Sequence, residues 1–182
     1  MIRVIIGTVA VLAGFGVLER SVDASTGHSG SCQSTLAYAL LPRGEVVPVR
    51  SEPTPEGLVV GTLSGHRSAI GDAARAEVTI TGSQSGWARI ALATARDYKV
   101  EGAPQSHGWI PADLLTVDAR VDGTITVYSR PGLLGRVLTT IEGDDVKFRV
   151  LGCRGDWLQV INARHGNVWI DKWCGREDGC RS

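Results

Sequence analysis

The sequence predicts an all-β chain of two small β-barrels in tandem behind an N-terminal signal segment. Three observations carry this expectation: a set of features that occurs twice in the same order, short stretches of strand-period alternation between turn clusters, and no helix-period stretch after the first residues. The first copy runs Val49-Arg50-Ser51-Glu52-Pro53, Gly61-Thr62-Leu63, Val78-Thr79-Ile80-Thr81, Gly86-Trp87-Ala88-Arg89-Ile90 and Gly108-Trp109-Ile110-Pro111. The second runs Val127-Tyr128-Ser129-Arg130-Pro131, Gly135-Arg136-Val137-Leu138, Val146-Lys147-Phe148-Arg149-Val150, Gly155-Asp156-Trp157-Leu158-Gln159-Val160 and Gly166-Asn167-Val168-Trp169-Ile170. Four of the five tryptophans stand at matching places.

Each element follows from its local pattern. Val78 and Ile80 alternate with Thr79 and Thr81, and Val146, Phe148 and Val150 with Lys147 and Arg149, the period of a strand with one buried face. Ser83 to Gly86 and Cys153 to Asp156 are turn clusters that join those strands to the tryptophan strands as hairpins, and Asn162 to Gly166 makes a further turn. Pro53, Pro55 and Pro131 belong to irregular stretches, since proline cannot donate to a central ladder. The expected units are a barrel over 44–117 and another over 119–174, each closing its own miniature sheet. A linker or first-strand segment over 25–43 precedes them, and a tail over 175–182 follows.

The N-terminus reads as a signal for export. Arg3 precedes an uncharged run from Val4 to Leu18, then Glu19, Arg20 and the small-residue stretch Val22 to Ser25 with cleavage expected after Ala24, so residues 1–24 form the expected signal peptide. The run is short for a bilayer-spanning helix, which takes about 20 apolar residues. A membrane association would follow only if this segment stayed uncleaved. Export to a periplasmic or secreted location would put the four cysteines in an oxidising compartment. Four cysteines allow three pairings, which spacing does not separate. The pairing taken forward is Cys174 with Cys180, closing the loop 175–179, and Cys32 with Cys153.

Charge and motifs narrow the function. The 182 residues carry 19 basic and 19 acidic side chains, so no basic excess points to nucleic acid. No C-x-x-C pair is present, and His28, His66, His107 and His165 lie in polar or turn-like surroundings, so no metal or other cofactor is expected. The signatures G-x-S-x-G, H-E-x-x-H and G-x-x-x-x-G-K-[ST] are absent, which argues against the common hydrolase, zinc-protease and phosphate-loop chemistries. Strand phase instead singles out aromatics. Leu158 and Val160 share one face and Trp157 and Gln159 the other; Trp87 likewise sides with Arg89, and Trp169 opposes Val168 and Ile170. Such side chains form either an aromatic groove for a ligand or a second small core under a loop. The binding candidates are Tyr128, Trp157, Trp169, Trp173 and Trp87.

The ordered motifs V-x-S-x-P, G-x-L or G-R-V-L, an alternating strand, G-[DW] or G-W, and a final G-W-I resemble the bacterial Src-homology-3 domain over residues 44 to 174. The second copy matches well; the first departs at His66 to Ala76 and Ala93 to Gln105, which read as longer loops. The resemblance implies a non-enzymatic binding module for peptidoglycan or another envelope component. The rival expectation is an adaptor that captures a peptide or partner protein through the aromatic face or a sheet edge.

Overall fold

The computed structural model describes residues 30–41, 44–67, 74–92, 98–100, 105–119, 121, 123–142, 147–175 and 180; the expected signal segment lies outside them. Among the described residues fourteen strands form one hydrogen-bonded sheet, and every strand ladder in it is antiparallel. The chain is all-β, with a short 3-10 turn at Ala112–Leu114.

In chain order the strands are β1 (Gly30–Leu41), β2 (Val46–Arg50), β3 (Val59–Ser64), β4 (His66–Arg67), β5 (Ala74–Gln84), β6 (Trp87–Ala91) and β7 (Tyr98–Val100). They continue as β8 (His107–Pro111), β9 (Leu115–Asp118), β10 (Ile125–Tyr128), β11 (Val137–Ile141), β12 (Lys147–Arg154), β13 (Trp157–Asn162) and β14 (Gly166–Ile170). Their order across the sheet is β11-β10-β14-β13-β12-β9-β1-β5-β6-β8-β2-β3-β7, with β4 paired to β5 off that path. Matching strands take matching places: β5-β6-β8-β2-β3 in one half has the order of β12-β13-β14-β10-β11 in the other. β1 borders β5 as β9 borders β12, and β1 and β9 pair with each other at the centre. The chain is therefore a duplication in topology, a six-strand unit led by β1 and another led by β9, with β4 and β7 as additions to the first.

Local chemistry sets the shared shape. Both hairpins at the tryptophan strands turn in two residues, Ser85-Gly86 and Gly155-Asp156, between the paired ends Gln84–Trp87 and Arg154–Trp157. Ser85 has φ 49°, Gly86 81° and Gly155 56°, the left-handed values that match a tight turn to strand twist. Each ladder also breaks register at a matching glycine, between Ile80 and Gly82 and between Val150 and Gly152, as a β-bulge does. Alternation is as the sequence suggests: Val78 and Ile80, Phe148 and Val150, Ala88 and Ile90, and Leu158 and Val160 are all buried.

The expectation of two separately closed sheets meets a different arrangement. β1 and β9 join both halves into one continuous sheet, and the buried side chains of both belong to one cluster. Ser83 of β5 fastens the seam from one side: its hydroxyl donates to the Cys153 carbonyl at 3.1 Å and accepts from the Cys153 N–H at 2.9 Å. A disulfide fastens it covalently, Cys32 on β1 to Cys153 on β12, with Cα atoms 5.7 Å apart. Cys174–Cys180 forms the second disulfide, at a Cα separation of 5.5 Å. Cys174 exchanges backbone hydrogen bonds with Asp118 of β9, so the tail is pinned to the same seam. Two disulfides fit an oxidising compartment. No helix among the described residues is long and apolar enough to cross a membrane.

The two expected insertions also take form in part. His66–Arg67 pairs with the start of β5, which makes β4 a continuation of β3 through Gly65 onto another strand. Within 93–105 lies β7, which pairs along the outer edge of β3. The long loop of the first copy therefore supplies a strand.

Candidate functional site

The repeat places six residues per half on the side away from the core, in two cross-strand rows. In the first half Arg89 and Arg50 both pair with Trp109, and Trp87 pairs with Pro111. Pro48 is two residues from Arg50 on the same strand face. In the second half Gln159 and Tyr128 both pair with Trp169. One step past the Leu158–Ile170 and Val127–Ile170 pairs, Asp171 falls opposite Trp157 and beside Thr126. The faces thus correspond position by position: Arg89 with Gln159, Trp109 with Trp169, Arg50 with Tyr128, Trp87 with Trp157, Pro111 with Asp171, and Pro48 with Thr126.

Burial follows from phase. Trp87, Trp109, Trp157 and Trp169 are all half-buried, while their strand neighbours Ala88, Ile110, Leu158 and Ile170 are sealed in the core. These rings point away from the buried positions of their own strands, so part of their surface stays in water. No loop among the described residues seals them.

The two faces are built differently. In the first half Val46, Val47, Pro48, Arg50, Pro55, Trp87, Pro111 and Leu114 line a cleft of about 310 Å³. Its loop is held in shape by Arg50, whose guanidinium donates to the Gly57 carbonyl at 2.8 Å, and by the Thr54 hydroxyl, which donates to Glu56. That hydroxyl holds the exposed Glu56 carboxyl below its ordinary value, helped by the residue's own backbone N–H. Arg89 is likewise engaged, donating to the Thr81 hydroxyl at 3.1 Å and carbonyl at 3.2 Å. In the second half Tyr128 and Trp157 meet edge to face, centroids 4.8 Å apart at 85°, and the Tyr128 hydroxyl donates to Asp171 Oδ2 at 3.3 Å.

Of the sequence candidates, Tyr128, Trp157 and Trp169 come together on one face. Trp87 heads the equivalent face of the other half. Trp173 lies apart from them, half-buried against the core cluster. Reasoning from single strands passed over Trp109, Arg50, Pro111 and Asp171, although aligning the copies would have found them, since each matches a residue of the other face. Among the described residues no group of three or more His, Cys, Asp or Glu is placed to hold a metal ion. His107 and His165 are exposed, and His107 shares a 3.0 Å hydrogen bond with Ser106.

No family model and no curated protein matches the chain. Among solved structures, that of NlpC1 from Trichomonas vaginalis aligns at 16% identity with a TM-score of 0.31. The alignment covers 78% of this chain and 45% of the other, so the chain spans less than half the length of that protein. A likeness of this size carries no argument about fold or function.

Proposed function

We propose that each half curls into a barrel of the bacterial Src-homology-3 type, and that the chain is an exported, non-enzymatic protein that docks on peptidoglycan or another cell-envelope component. The observation that carries this reading is the duplicated outer face, which keeps two tryptophans half-exposed at the same topological positions in both halves. Holding four large rings in partial contact with water forgoes burial worth about 1.5–3 kcal/mol for a full side chain, which a purely structural sheet would recover. Stacking of exposed rings on flat, weakly polar ligands offsets that loss. The shared strand order, and the path of β3 through Gly65 into β4 and back to β5, support a barrel in the first half. Two disulfides support a location outside the cytoplasm, periplasmic or secreted.

The test is co-sedimentation with purified cell-wall sacculi. The mature protein should pellet with them, and Trp87→Ala together with Trp157→Ala should move most of it to the supernatant. Complete recovery of the wild type in the supernatant would overturn the envelope reading. Crosslinking in intact cells to one dominant protein would replace it with an adaptor.

A further inference from the structure

The geometry points to the outer face of the second half as a site for a primary ammonium group, carried on an amino-acid side chain or an amino sugar. This deepens the envelope-binding reading and rests on it. The contrast between the halves motivates the inference. At six matched positions the first half has two arginines and no acid, whereas the second has one aspartate and no base. One ligand group cannot suit both.

The second face combines the two features that hold an ammonium ion. The edge-to-face contact of Tyr128 with Trp157 presents the negative quadrupole of an aromatic face beside a carboxylate. The Tyr128 hydroxyl uses one oxygen of Asp171, which orients the carboxylate and leaves its other lone pairs for an incoming donor. Gln159 and Thr126, in the same two rows, supply neutral acceptors for further N–H groups. Nearby cations are engaged elsewhere or stand at the rim. Arg130 Nε donates to the Leu134 carbonyl at 2.8 Å. Lys172 directs its amine toward Gly123. Arg154 is exposed across the hairpin from Trp157.

Titration of isotope-labelled protein with Nα-acetyl-lysine amide and with methyl glucosaminide, followed at the tryptophan indole N–H signals, tests the assignment. At least one amine should shift the Trp157 and Trp169 signals saturably; which one does so identifies the source. Acetylating the amine of that probe should weaken binding by about tenfold, since it removes both the charge and the cation–π contact. Asp171→Asn, which keeps shape and loses charge, should weaken it by about five- to tenfold. Equal binding of free and acetylated probes, an unchanged affinity in Asp171→Asn, or no saturable shift with either amine would overturn the proposal. Sacculus binding retained beside any of those results would sink the ammonium site alone and leave envelope binding standing.

Discussion

The two halves share a strand order but fill it with side chains of different size. Where the second half buries Phe148, Leu158 and Val168, the matching positions of the first hold Val78, Ala88 and Gly108. The slack is closed from outside. In the first half β7 pairs along the edge of β3, β4 carries the chain on to β5, and Leu63 is fully buried; in the second, Ile141 at the matching place on β11 stays partly exposed, with Val137 at the outer edge. A missing methyl at one site can be offset by an added strand at another, because what a sheet requires is excluded water and close packing rather than particular residues. The duplication thus preserved hydrogen bonding and bulge positions while the packing diverged.

Three experiments would break or sharpen that comparison. The largest effect belongs to the link between the halves. Removing the Cys32–Cys153 bond with paired serines should lower unfolding stability by about 4 kcal/mol, because it frees a span of more than one hundred residues in the unfolded chain. Chemical denaturation followed by tryptophan fluorescence and by circular dichroism should give coincident single transitions before and after the change. Two separate transitions would show that the halves are independent and that the common core is not cooperative. Next in size, Leu158→Ala should cost about 3 kcal/mol, and the converse Ala88→Leu about 2 kcal/mol through overpacking. A neutral Ala88→Leu would mean that the first half has room to spare and that β4 and β7 do not tighten it. Least, Ser85→Gly installs the residue that the second half already uses at the matching turn position. It should stabilise by about 0.5–1 kcal/mol, since a glycine adopts that left-handed conformation without strain, and a small rise in melting temperature would register it.

What could be read in the sequence, and what could not, divides along burial. The tryptophan hairpins were legible because each has one wet face, so alternation survives in Trp87 to Ala91 and Trp157 to Val160. The strands that weld the halves were not. β9 buries all four of Leu115, Thr116, Val117 and Asp118, and β1 buries Ala37, Tyr38 and Ala39 in succession, because each is flanked by strands on both edges and packed on both faces. Without a wet face there is no period to detect, and Leu115 to Val117 read as the end of one barrel rather than the lead strand of a second unit. The site was half legible. Strand phase identified the rings, but the residues that separate the two faces chemically, Arg50 against Tyr128 and Pro111 against Asp171, emerge only from cross-strand register.

The central position of β1 has a temporal consequence. A chain made or threaded from its N-terminus delivers Cys32 first, yet the sulfur it joins arrives 121 residues later. Its neighbour β9 is also late, so the opening strand must wait, half-partnered, through the whole of the first unit. Maturation therefore cannot proceed one repeat at a time: the last step for the earliest segment is set by the latest, and any thiol exposed in the interval is open to a wrong partner.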